Sequence, residues 1–163
     1  MPAMKSLEDL FINLLKDIYY AEKQILKALP KMAKKADSED LREAFEHHLK
    51  ETEGQVVRLE KVFALCDLKP TGKTCHAIKG ILEEGEEDMK EIKDPDVLDA
   101  GMIADAQAVE HYEIARYGTM VAWARQLGME EAAGLLEQTL DQEHNADRLL
   151  TELAEGALNR EAA

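Results

Sequence analysis

Glu22, Glu51, Glu110 and Glu143 each stand where a long amphipathic helix should present an apolar side chain. One stripe reads Phe11, Leu15, Ile18, Glu22, Ile25, Leu29, Met32, alternating steps of four and three. Another reads Ile103, Gln107, Glu110, Ile114, Tyr117, Val121, Ala124, with the same steps. Four unpaired carboxylates buried in one small bundle would each cost on the order of several kcal/mol unless something positive sits among them. A pair of metal ions meets that demand.

Carboxylate-held metal pairs in helical bundles draw one Glu from each of two helices and a Glu-x-x-His from each of the other two. Glu22 and Glu110 suit the single-Glu role. Glu51 and Glu143 suit the second, where they are expected to bridge both ions. Their third neighbours, however, are Gly54 and Ala146, so that pattern's histidines are missing. His48, one turn before Glu51 and about 60° round the helix, can point to the same centre. Glu113, one turn after Glu110, and Asp147, one turn after Glu143, complete the candidate metal ligands: Glu22, Glu51, Glu110, Glu143, His48, Glu113 and Asp147. Oxygen donors with little imidazole suit Mn or Fe(II) better than Zn, Cu or Ni, so the expected cofactor is two ions of iron or manganese. Tyr19, Tyr20, Gln107 and Tyr112 are candidates to orient the ligands by hydrogen bonding.

Four long helices must position these residues. Ser6 with Asp9 reads as an N-cap and its reciprocal acid, opening a helix to about Lys35 that Pro30 should kink. Ser38 caps a second helix, to about Cys66, with stripe Leu41, Phe45, His48, Thr52, Gln55, Leu59, Val62. A shorter acidic helix follows over about Thr74–Ile92, weakened by Gly80 and Gly85. Asp94-Pro95 restarts the chain as a helix to Gln126, closed by Gly128. The last long helix runs from Met129 to about Glu155, its stripe passing Leu136, Thr139 and Glu143, then Ala146 or Asp147, then Leu150. The expected domain is residues 4–155, with Gly156–Ala163 a frayed tail. The acids lie 29 residues apart in the first helical pair (Glu22, Glu51) and 33 apart in the second (Glu110, Glu143). Two helical hairpins joined by one long crossover make an all-α, ferritin-like up-down four-helix bundle, with a short helix in the crossover.

Composition narrows the function classes. A net charge of −14 repels phosphate backbones and anionic lipid, so neither nucleic acid nor membrane is an expected partner. No apolar run reaches the roughly 18 residues a membrane span needs, and the N-terminal stretch Met1–Asp9 lacks the form of a signal peptide. Cys66 and Cys75, nine apart and without a CxxC, read as free thiols of a cytoplasmic protein. Thr71-Gly72-Lys73-Thr74 is no phosphate loop, because Asp67 occupies the place of the required first glycine and no strand precedes it.

Four segments carry a family resemblance: Leu7-Glu8-Asp9-Leu10-Phe11, Ala21-Glu22-Lys23-Gln24, His48-Leu49-Lys50-Glu51-Thr52 and Val109-Glu110-His111-Tyr112-Glu113-Ile114-Ala115. Through them the chain resembles the YciF/YciE-type ferritin-like bacterial stress-response proteins over about residues 4–155. The resemblance implies a four-helix bundle with a rubrerythrin-like di-metal site, usually dimeric, but hands over no reaction. The expected function is a stress-response protein with a di-iron or di-manganese centre that oxidises Fe(II) or consumes peroxide. The alternative is a non-catalytic structural or interaction protein with a degenerate site. Leu10, Leu14, Ile81, Leu82 and Met89, apolar and outside the core stripe, also point to a homodimer.

Overall fold

The computed structural model describes residues 3–163; Met1 and Pro2, part of the stretch read for a signal peptide, lie outside the described residues. Helix α1 spans Leu7–Lys35, α2 Glu39–Leu65, α3 His76–Glu91, α4 Pro95–Gln126 and α5 Glu130–Leu153. No strand occurs among the described residues. The starts of three helices follow from local chemistry. Ser6 Oγ accepts from the Asp9 amide while Asp9 accepts from the Ser6 amide, satisfying two otherwise orphaned donors. Ser38 Oγ accepts from the Leu41 amide, and Asp94 accepts from the amides of Asp96 and Val97. Gly128, at φ +73°, supplies the left-handed residue that turns α4 into α5. Helix α1 passes unbroken through Pro30.

Helices α1 and α2 form one hairpin, α4 and α5 the other, and the hairpins meet through α2 on α5 and α1 on α4. This is the ferritin-like up-down bundle, with α3 in the crossover packed on α4 and α1. The crossover is tied down by the Lys73 amide donating to the Lys16 carbonyl and Lys73 Nζ donating to Asn13. Asp99, buried on α4, closes one end of the bundle by accepting from the Asp37 and Ser38 amides at the α1–α2 turn, 2.9 and 2.7 Å away.

Three expectations need correction. The tail does not fray: the chain widens to a π-helical turn over Ala154–Leu158 and continues as α6, Asn159–Ala162. Ala154 and Leu158 prolong the four-residue rhythm of Leu150 and are buried, and this segment packs on α4. The stripe of α4 is wider than expected. Gln107 and Ile114 are only half-buried, whereas Met102, Ala106, Val109, Glu113 and Met120 are buried as well. That helix is packed by α1, α3, α5 and the C-terminal turns, so more than one stripe must be apolar. Finally, Leu14 is buried within the chain, and Ile81, Leu82 and Met89 pack half-buried on the core, leaving Leu10 the exposed member of its group.

Candidate metal centre

The mid-levels of four helices bring together Glu22 from α1, His48 and Glu51 from α2, Glu110 and Glu113 from α4, and Glu143 from α5. Spacing of three residues puts His48 with Glu51, and Glu110 with Glu113, on one face of their helices. Glu22, Glu113 and Glu143 are fully enclosed, and Glu110 and His48 nearly so. Two triads emerge whose ligand atoms lie within 4.8 Å of one another: His48, Glu110, Glu143, and Glu22, Glu113, Glu143. Glu143 belongs to both.

Few of the donor atoms are otherwise engaged. Tyr117 donates to Glu22 Oε1 at 2.5 Å, and Gln55 Nε2 donates to Glu143 Oε1 at 2.5 Å. Gln55 also reaches Gln142, which receives Arg58, so a polar network from α2 and α5 backs the cluster. Thr52 donates to the His48 carbonyl. The remaining atoms, Glu22 Oε2, Glu110 Oε2, both oxygens of Glu113, and Glu143 Oε2, are buried without a hydrogen-bond donor while the carboxylates are ionised; only a shared proton joins Glu113 to Glu22 or Glu143 to Glu110. His48 Nδ1 lies 3.1 Å from Glu51, and Nε2 lies 2.9 Å from Glu110 Oε1 but poorly aligned for a hydrogen bond. Buried polar atoms rarely go unpaired, and these all face one another. An oxygen-rich set with one imidazole, unpaired and enclosed, fits divalent iron or manganese.

Electrostatics agree with that demand for positive charge. Burial pushes the Glu113 carboxyl well above the ordinary range, and Glu143 and Glu22 add to it. Burial, then the Glu110 charge, does the same to Glu143. Glu22 rises from 4.5 to about 7 through burial, held back by the Tyr117 hydroxyl. Burial also opposes the Glu110 charge, yet the neighbouring His48 outweighs it and holds this carboxyl below its usual value. His48 in turn rises well above an ordinary histidine, since Glu110, Glu51 and Glu143 overcome the cost of burying its charge. Without metal, then, a single imidazolium and shared protons neutralise the cluster.

The structure rearranges the ligand roles expected from spacing. The paired positions fall on α2, as His48-x-x-Glu51, and on α4, as Glu110-x-x-Glu113, leaving Glu143 as a single acid. Of the two expected bridges only Glu143 belongs to both triads. Glu51 stands at the edge, its side chain 18% exposed and shared between His48 and His47. Asp147 stays outside, 3.1 Å from the exposed His111 and within reach of Gln107. None of the expected orienting residues hydrogen-bonds to the cluster. Tyr19 donates to Glu60, Tyr112 to Asp17, and Gln107 to Thr151, while a Cβ on Gly72 would stand 3.3 Å from Tyr20. Tyr117 and Gln55 perform that task instead; Tyr117 lies on the apolar stripe of its helix, and Gln55, one turn after Glu51, holds the place in its hairpin that matches Asp147.

Comparison with known proteins shows the family and the fold. The family model described as Domain of unknown function (DUF892) matches residues 6–163. Protein YciF of Escherichia coli K12 is 46% identical over 160 residues, covering 98% of this chain and 96% of its own. Its crystal structure, described as that of the E. coli stress protein YciF, superposes with a TM-score of 0.91, covering 96% of this chain and 99% of that one. YcfI of Rhodopseudomonas palustris, described as a candidate structural protein, is 47% identical with a TM-score of 0.90, covering 92% and 96%. No helix among the described residues is long and apolar enough to cross a membrane.

Proposed function

The chain belongs to the DUF892 family, and from that premise we propose that it is a cytoplasmic stress-response protein, active as a homodimer, that holds two ions of iron or manganese at the bundle's centre. The observation that carries this reading is the pair of buried triads sharing Glu143, with five carboxylate oxygens left unpaired among them. His48, Glu110 and Glu143 would hold one ion, and Glu22 and Glu113, with Glu143 again within reach, would hold the other; Glu51 stands beside the first group. When bound, such a pair supplies redox chemistry toward dioxygen or peroxide, including oxidation of Fe(II).

The chain's own residues set the conditions for it. Tyr117 and Gln55 fix one oxygen each of Glu22 and Glu143, turning the other oxygen of each toward the cluster. Glu51 accepts from His48 Nδ1, which leaves Nε2 as the ligating nitrogen once the imidazole gives up its second proton. Burial on α1, α4 and α5 keeps bulk water from the Glu22–Glu113 side.

The second reading, a structural protein with a degenerate site, draws support from the His48 contacts, since an imidazolium among carboxylates already offsets part of their charge. It also accords with the description of the R. palustris relative. Metal counting separates the two. Protein loaded anaerobically with Fe(II) or Mn(II) should hold two ions per chain. Glu143→Gln should lose both, and Glu51→Gln should retain more than Glu143→Gln. Metal-free protein after loading, or full stoichiometry in Glu143→Gln, overturns the metal reading.

A further inference from the structure

A cavity of about 270 Å³ opens between α2 and α5 and runs inward to His48, Glu51 and Glu110. Between its polar ends the walls are apolar: Leu29, Phe45, Ala106, Ala146, Leu149 and Leu150. His47, Asn145 and Arg148, all exposed, stand at the mouth. Glu22 and Glu113 do not line it, nor does Glu143, so it reaches only one side of the cluster. His48 and Glu110 close its inner end, and each carries a buried atom without a hydrogen-bond partner, Nε2 and Oε2.

Size and charge together define what fits. A dry apolar cavity of about 150 Å³ holds benzene, and this one is larger, well beyond what dioxygen or peroxide fills. Charge argues against an anion as guest. Glu22, Glu51, Glu110, Glu113 and Glu143 bring five carboxylates to the centre, which already exceed the four positive charges of two divalent ions. A cation would have to leave water for a cavity whose two acids, Glu51 and Glu110, sit beside the ions at its inner end, with Arg148 already at the mouth.

We infer that this cavity is a binding pocket for a small uncharged organic molecule, with an alkyl or aryl body against Leu29, Phe45 and Leu149 and one hydrogen-bonding end toward His48 and Glu51. This assignment rests on the metal reading above and names the substrate class of its open side. The Glu22–Glu113 side, by contrast, is sealed and meets no guest.

Benzyl alcohol is a suitable probe, with benzoate as its charged counterpart. In the full chain loaded with Mn(II), the paramagnetic ion should shorten proton relaxation of benzyl alcohol, and of benzoate far less. Ala146→Trp, which fills the cavity from α5, should cut the benzyl alcohol effect by about tenfold or more at unchanged Mn(II) stoichiometry. Ala44→Phe fills it from α2 and serves if Ala146→Trp does not fold. Equal relaxation in the filled variants, or none in the loaded wild type, overturns the pocket. Benzoate binding as tightly as benzyl alcohol overturns the uncharged class. If no Mn(II) is taken up, the metal reading fails by itself. Saturation transfer to benzyl alcohol in the metal-free protein then decides the cavity: transfer that Ala146→Trp abolishes upholds a guest site, and no transfer overturns it.

Discussion

In the metal-free protein, Glu22→Gln should make the bundle more stable above neutral pH, against the usual result of altering a fully buried residue. Glu22 is enclosed and its carboxyl is raised from 4.5 to about 7, chiefly by burial. Between those values the folded chain keeps a proton that the unfolded chain has lost, so stability falls as pH rises through that window. The displacement corresponds to ~3 kcal/mol lost by pH 8. Glu113 and Glu143, raised in the same direction by burial and by their neighbours, steepen the fall. So does His48, whose raised value means its ion pairs stabilise at low pH and are lost as pH climbs through it. Asp105, pushed up to about 6 by burial and then Asp88, acts alike but is partly solvated and contributes less. Glu110, held low, matters only under acid conditions. Gln at position 22 keeps the shape: its oxygen still accepts from Tyr117, and its amide N–H faces Glu113. Urea unfolding in the presence of a chelator from pH 5 to 8.5 should show wild-type stability declining with pH. The variant should match wild type near pH 5 and exceed it by up to ~3 kcal/mol at pH 8. With metal bound, the order should reverse. A variant less stable than metal-free wild type at pH 8, or wild-type stability rising with pH, would mean that each carboxylate already has a structural cation. The cluster would then need no metal.

Asp99→Ala should cost roughly 2–3 kcal/mol in thermal or urea unfolding, because two backbone amides at the α1–α2 turn lose a buried, charged acceptor. Leu158→Ala should destabilise by about 2 kcal/mol or more in urea unfolding, because its side chain is buried on the core below Leu150 and Ala154; a change near zero would refute that packing. Light scattering at micromolar concentration should give a dimer mass that falls when exposed Leu10 is replaced by Glu, and a monomeric wild type would refute the assembly.

The bundle and much of its cluster were legible because polar residues interrupt apolar stripes: Glu22, His48, Glu110 and Glu143 all sit on the predicted lines and all are buried. Periodicity gives depth along a helix well and angle around it poorly, and the misplacements are errors of angle. On α2 the buried line runs His48, Thr52, Gln55, so Glu51 is turned one step off it and remains part-exposed. On α5 the step from Glu143 to Leu150 can pass through Ala146 or Asp147, and the aspartate falls on the outer side, where His111 takes it. On α4 the error ran the other way, since a helix packed on several sides buries Glu113 alongside Glu110. Partnerships between helices were harder still. Tyr117 and Glu22 are 95 positions apart, and a phenol carries its hydroxyl far from its own backbone, so tyrosines close to a ligand in sequence were the wrong ones. Asp99 shows the same limit: between Leu98 and Met102 it reads as a break in a stripe, like the glutamates, yet its oxygens serve backbone amides. What distinguishes the two kinds of buried acid is whether partners already satisfy them. Asp99 is spoken for, whereas Glu113 has both oxygens free in the middle of four helices, and that difference points to a ligand from outside the chain.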